Sequence, residues 1–137
     1  MATDKVQFEL VDPERMLASE DVDMVVVPGS EGDFGVLPLH APLVSSLRPG
    51  VIRTYQGNEV ADRYFVAGGF VEVNEKACTV LAEDAVELGE LDAAAERKRM
   101  DEATRLMPEL DETEQVRYRR VIVIAQARIE AVEIKID

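Results

Sequence analysis

The 137-residue chain has no tryptophan, a single histidine and a single cysteine, and aromatics make up only 5% of it. One cysteine excludes an internal disulfide. A lone histidine offers zinc no second nitrogen ligand, and no cysteine lies near it in sequence. So few aromatic rings leave no platform for stacking nucleic-acid bases. Basic residues are scarce as well: 15 Lys and Arg stand against 28 Asp and Glu, giving a net charge of −13. That field repels phosphates and anionic lipid, so nucleic acid is not an expected partner. Long apolar runs are also missing. The longest stretch without a charge, Phe34 to Leu47, holds two prolines, a histidine and two serines. Nothing approaches the roughly 20 apolar residues of a membrane helix, so no direct membrane insertion is expected. The opening MATDKVQFEL has no basic stretch leading into an apolar one. No secretory signal is therefore expected, and the default compartment is the cytoplasm.

What is present falls into two parts with different periods. Val6, Phe8 and Leu10 alternate with polar neighbours, as a half-buried strand does. Further short segments are expected at Arg15 to Ala18, Val22 to Val27 (stopped by Pro28-Gly29), Val51 to Tyr55, Val60 to Ala67, Phe70 to Val73 and Cys78 to Leu81. Turn signals separate them: Asp12-Pro13, Pro49-Gly50, Gln56-Gly57-Asn58-Glu59, Gly68-Gly69 and Asn74-Glu75-Lys76. Many short strands between such turns predict an antiparallel β-sandwich or barrel.

After Leu88-Gly89 the pattern changes. Leu91 to Met107 lacks glycine and proline and is rich in Ala, Glu, Arg, Lys and Met, which favour helix. Asp92 is the expected N-cap, and Pro108 the expected stop. Ala95, Met100, Ala103, Leu106 and Met107 give its apolar face. A second helix is expected from about Asp111, capped by Asp111 or Thr113, with Tyr118, Val121, Ile122, Ala125, Ile129 and Val132 on one face. The run Val121-Ile122-Val123-Ile124 would suit a strand by propensity, but Ala125-Gln126-Ala127-Arg128 continues a helix. Val123, Ile124, Ala127 and Ala131 add a second apolar face, and Glu133 to Asp137 alternate, a pattern open to fraying or to extension. The expected architecture is therefore β plus α: a sandwich over residues 1–89, then a two-helix hairpin over 90–137. Charge divides with it, net −10 in the first part and −3 in the second. A hairpin this short buries little core alone, so it is expected to dock on the sandwich or on another protein.

No group of residues composes a catalytic site. Gly29, Gly32 and Gly35 match neither a dinucleotide fingerprint nor a phosphate loop, since no Gly-Lys-Ser/Thr follows and Glu31 and Asp33 would repel phosphate. They are expected to support a turn carrying two solvated acids. His40 lies between Pro38 and Pro42, with its backbone expected to be extended on both sides. Ser45 and Ser46 follow it without the nucleophile-elbow pattern. Cys78 reads as a small buried hydrophobe. Glu83, Asp84 and Glu87 lack calcium-loop spacing and read as a solvated edge. Arg97-Lys98-Arg99 is expected to pair with nearby acids such as Glu96 and Asp101. Between Val116 and Ile129 stand four arginines and no acid, a positive face suited to an acidic partner surface.

Several linked motifs carry a resemblance. Gly29-Ser30-Glu31-Gly32-Asp33-Phe34-Gly35-Val36-Leu37-Pro38-Leu39-His40-Ala41-Pro42-Leu43 resembles the signature loop of the epsilon-subunit family of bacterial F-type ATP synthases. Leu47-Arg48-Pro49-Gly50, Phe65 to Val73 and Cys78 to Ala82 are similar to the markers that follow it, in the same order and spacing. The resemblance implies a non-catalytic, cofactor-free rotor subunit that couples c-ring rotation through gamma to ATP synthesis. It would be a peripheral protein on the cytoplasmic face of the inner (plasma) membrane. It implies that Ser30, Glu31, Gly32 and Asp33 meet the c-subunit ring, and that the His40 region and the apolar sandwich face lie towards gamma. It also implies a regulatory hairpin that can restrain ATP hydrolysis by reaching the catalytic alpha/beta hexamer, through Arg117, Arg119, Arg120 and Arg128. Some family members bind ATP there. Here only Asp92 and Arg128 match that motif, with Ala95, Glu96 and Ile124 at its other positions, so weak or no ATP binding is expected. A nucleotide-sensing protein that uses the hairpin is the alternative reading.

Overall fold

The computed structural model describes residues 4–134. Ten strands occupy the first part: β1 (Val6–Val11), β2 (Met16–Val22), β3 (Met24–Gly29), β4 (Gly32–Val36), β5 (Leu43–Leu47), β6 (Gly50–Gln56), β7 (Glu59–Val66), β8 (Gly69–Val73), β9 (Ala77–Ala82) and β10 (Ala85–Glu87). Their hydrogen-bonded order is β10-β7-β6-β3-β5-β8-β9-β1-β2, with β4 paired to β3. Strands β7 and β1 lie near opposite ends of that order. Yet the rings of Phe8 on β1 and Tyr64 on β7 are 6.2 Å apart, and Gln56 on β6 donates to the carbonyl of Asp21 on β2 at 2.9 Å. The sheet therefore folds over on itself, and its two inner faces meet as a sandwich. The interior is closed to solvent, with Phe8, Leu10, Val22, Val25, Val27, Val36, Ile52, Val66, Val71 and Val80 all at 0% exposure. β-branched valine suits it, because its stiff side chain packs well on a pleated surface.

Several boundaries differ from the sequence expectation. The second strand extends to Val22, and the third begins only at Met24, after Asp23 accepts from Lys5 and from the Gly57 N–H. Pro28-Gly29 does not stop that strand; it forms its end, because β3 turns straight into β4. Both β4 and β5 lie in a stretch whose glycines and prolines hide strand periodicity, and β10 is only three residues long. One pairing is parallel, β1 with β9, where an all-antiparallel arrangement was expected. Leu39 has φ 67°, so the backbone before His40 is not extended. Gly69 (φ 136°) marks a close approach: a Cβ there would sit 2.2 Å from the Leu81 carbonyl oxygen of β9.

The second part is a separate compact unit beginning at Gly89. It holds α1 (Ala93–Leu106) and α2 (Glu112–Ile134), joined through a 3₁₀ turn at Met107–Glu109. Asp92 caps α1 as expected, accepting from the N–H groups of Ala94 and Ala95. Asp111 caps α2 through the Glu114 N–H at 2.9 Å. The Gln115 amide ties the connection by donating to the carbonyls of Met107 and Leu110. Val121 to Ile124 is helical. The expected inner face of α1 is corrected in one respect: Ala95 is exposed while Glu96 is buried, because Glu96 has a cationic partner on α2. α2 runs to Ile134, and the expectation for residues 135–137 falls outside the described residues.

Burial raises the pKa of three groups in the sandwich. Burial pushes the Cys78 thiol up to about 12, leaving it the inert hydrophobe expected. Tyr64 is also pushed up to about 12, first by burial and then by the charges of Asp62, Glu20 and Glu87. Glu20 on β2 hydrogen-bonds the Asp62 carboxyl on β7; burial first, then Asp62, raises it above the ordinary value of 4.5. As pH rises past 4.5, unfolded Glu20 releases its proton while folded Glu20 keeps it. Stability therefore falls across that window. Glu20→Gln, which can still donate to Asp62, is expected to raise Tm at pH 7. The gain should vanish below pH 4.5, as read by thermal unfolding across a pH series. Gly69→Ala is expected to cost about 2–4 kcal/mol, from the glycine-only backbone and the contact with Leu81, measured by urea unfolding.

Candidate partner-binding surfaces

Strands β3 and β4 form a hairpin whose last pair is Gly29 with Gly32, leaving Ser30 and Glu31 as its two-residue tip. A side chain at Gly29 would lie 2.7 Å from the Gly32 carbonyl oxygen and against the Phe34 ring, so glycine is what lets the tip close. Ser30, Glu31, Gly32 and Asp33 are all exposed. The tip is anchored from the neighbouring strand end. The Ser30 N–H donates to Ser46, the Arg48 N–H to Pro28, and the Arg48 guanidinium to the Gly29 carbonyl at 2.6 Å.

Arg48 also pairs with the Asp33 carboxylate, and Arg53 stands 3.9 Å from its other oxygen. The two tip acids are thus unequal. Asp33, expected to be solvated, is turned back onto arginine; Glu31 remains the outward charge. Sequence order could not reveal this, because Arg48 lies 15 residues away and reaches Asp33 only through the fold.

His40 is half-buried in the loop after β4. Its Nδ1 is 2.7 Å from the Ala41 carbonyl, and the Ser45 hydroxyl donates to the Ser46 carbonyl. No histidine–serine pair forms. Within the loop the Leu39 N–H donates to Glu75 at 2.9 Å, and the Leu37 and Leu39 side chains are 56% and 66% exposed.

An apolar strip crosses the outer face of β5, β8 and β9. Val44, Phe70 and Leu81 are 67%, 59% and 58% exposed, and Phe70 pairs directly with Leu81. With Glu72 and Thr79 they line a shallow groove of about 210 Å³. Val71 and Val73 point inward, so Phe70 and Glu72 must share the outer face. That signal was present in the alternation of Phe70-Val71-Glu72-Val73, but the sequence reading did not draw it out. Three large exposed apolar groups on neighbouring strands mark an interaction surface.

On α2, Arg117, Arg119 and Arg120 are exposed, and Arg119 donates to Gln115 at 3.2 Å. Val116, Val123 and Ile134 are 62%, 57% and 63% exposed; spacings of 7 and 11 put them on one stripe of the helix. Arg128 does not join this outer surface. Its side chain is 13% exposed and meets Glu96 at 3.1 Å. Asp92 is occupied as a helix cap. Among the described residues no group of three or more His, Cys, Asp or Glu could hold a metal ion.

Comparison with known proteins agrees over most of the chain. Residues 5–88 match the family described as "ATP synthase, Delta/Epsilon chain, beta-sandwich domain". The chain is 52% identical over 126 residues to the ATP synthase epsilon chain of Rhodospirillum rubrum, covering 91% of this chain and 94% of that one. It is 47% identical over 130 residues to the epsilon chain of Paramagnetospirillum magneticum, covering 94% and 98%. In three dimensions it is similar to a chain in the cryo-EM structure of the Euglena gracilis mitochondrial ATP synthase with its c-ring. There the TM-score is 0.78 at 26% identity, covering 91% of this chain and 79% of that one.

Proposed function

The chain belongs to the delta/epsilon family of ATP synthase subunits, and from that premise we propose that it is the epsilon subunit of the central stalk, carrying c-ring rotation through gamma to ATP synthesis. One observation carries the reading: a single packed sandwich presents both an anchored acidic tip at Glu31 and an exposed apolar strip at Val44, Phe70 and Leu81. A rotor part must hold two partners at once without yielding between them. The tip meets the c-subunit ring through Ser30, Glu31 and Gly32, with Asp33 held behind them by Arg48. The apolar strip and the His40 loop meet gamma, where burial of Phe70 supplies an aromatic anchor.

In this reading the subunit is non-catalytic and needs no cofactor. No helix among the described residues is long and apolar enough to cross a membrane. The subunit is peripheral, held at the cytoplasmic face of the bacterial inner membrane by its partners. Residues 1–89 form the part that binds gamma and the ring, and residues 90–137 form the regulatory part. The exposed Arg117, Arg119 and Arg120 are the residues by which α2 reaches the alpha/beta hexamer and restrains hydrolysis. Arg128 is withheld while it pairs with Glu96. The occupation of Arg128 by Glu96, and of Asp92 by its capping bonds, weighs against the nucleotide-sensing alternative.

Gamma, the catalytic subunits and the c ring are expected to co-purify with the tagged chain from gently solubilised membranes. Phe70→Glu, at an exposed position that leaves the core intact, should weaken gamma binding at least about tenfold. Recovery of none of these partners from intact synthase would overturn the assignment. Ending the chain at residue 89 is expected to raise ATP hydrolysis by the reconstituted enzyme; unchanged hydrolysis would remove the inhibitory role from the hairpin.

A further inference from the structure

The two helices share very little apolar core. Their fully buried side chains are Glu96 and Ala103 on α1, and Ala125, Ile129 and Ala131 on α2, so Ile129 is the one large hydrophobe among them, while Met100, Leu106, Ile122 and Val132 are half-buried. Glu96 is the one buried charged residue among those described, at 6% exposure. Its Oε1 accepts from the Arg128 guanidinium at 3.1 Å across the helix pair, and Arg99, one turn along α1, approaches the same oxygen at 3.5 Å. A further interhelical ion pair, Arg97 with Glu133, is about half exposed on both sides, and a pair of that kind contributes little.

We propose that the Glu96–Arg128 pair is the pin that sets the closed register of the hairpin, because neither charge can be buried there without the other. Small alanine side chains slide past one another at little cost, so they do not fix how far α2 is advanced along α1. A buried charge does fix it, because any other register takes Arg128 away from the carboxylate and leaves it only the longer contact to the exposed Arg99. The pair is also reversible. When the helices separate, both groups regain water, and the Coulomb energy lost is largely returned as hydration. A hairpin pinned in this way is specific in its closed form without being locked. Arg128 becomes available to a partner surface only when the pin is released.

The test uses the free full-length chain, so it stands apart from the rotor assignment. Hydrogen exchange is followed at amides of α1 and α2, with the sandwich strands as an internal control. Glu96→Met or Arg128→Met alone removes one charge and takes from the other its buried partner across the helix pair. Each is expected to raise the helix opening equilibrium roughly 100-fold or more while strand exchange stays unchanged. The effect of Arg128→Met should be the smaller, because Arg99 remains near Glu96. The double variant, with two apolar groups of similar length facing each other, should recover the wild-type exchange of both helices. Single variants that exchange like the wild type would overturn the proposal, as would a double variant as open as the singles.

Discussion

A strand buries only alternate side chains, and here nearly every inward position is taken by valine or another apolar group. Val25 and Val27 on β3, Val71 and Val73 on β8, and Cys78 and Val80 on β9 are all at or near zero exposure. A one-residue slip in any of these strands would turn its whole set to water, so the register is fixed by the interior. Once it is fixed, the outer face follows without further choice. Phe70 must stand outside because Val71 is inside, and Leu81 because Val80 is. Their exposure is therefore not forced by folding. The sandwich would close equally well with polar residues there, which is why their apolar character speaks of a partner.

The same interior makes the hairpin tip a rigid feature. β3 lies between β4 and β6, and its last residue also pairs with Leu47 of β5. Arg48 then adds a guanidinium that bridges the Gly29 carbonyl and the Asp33 carboxylate. Glu31 consequently extends from a backbone whose conformation is already chosen. A pre-ordered contact surrenders less conformational entropy on binding than a mobile one does. The helical unit is built on the opposite principle. Its fully buried residues are mostly alanine, and a charged pair, Glu96 with Arg128, is buried between its helices.

Much of this was legible in the sequence, and the failures share a cause. Alternation located β1, β6, β7, β8 and β9, because each has a clear polar partner set and a turn at either end. Helix propensity and Asp92 located α1, and the continuation through Ala125 to Arg128 decided α2 against its β-branched run. Strands β4 and β5 were missed because glycine and proline there serve a hairpin and a loop, and mask the period of two. The tip was found through its motif, but the unequal roles of Glu31 and Asp33 depend on Arg48. Glu96 was expected to pair with the basic run of its own helix, as it does with Arg99, but helix periodicity carries no knowledge of a cation 32 residues on. The proximity of Glu20 to Asp62 likewise exists only because the sheet folds over. Local order is written in neighbours along the chain, whereas charge pairing is set by neighbours in space.

That division bears on how an acidic chain can be used in a rotor. A net charge of −13 would repel an acidic partner and draw in a basic one, over distances of about a Debye length or 8 Å at physiological salt. If every acid were free, attraction would be diffuse and would give rate without register. Neutralising Asp33 internally leaves Glu31 as a localised charge at the end of a stiff hairpin. The apolar strip supplies the complementary property: it is insensitive to salt and bound by shape. Contacts at the tip therefore weaken as ionic strength rises, while contacts at the strip do not. A subunit that must hold two partners through continuous rotation gains by using a different term for each, since screening that weakens the one leaves the other in place.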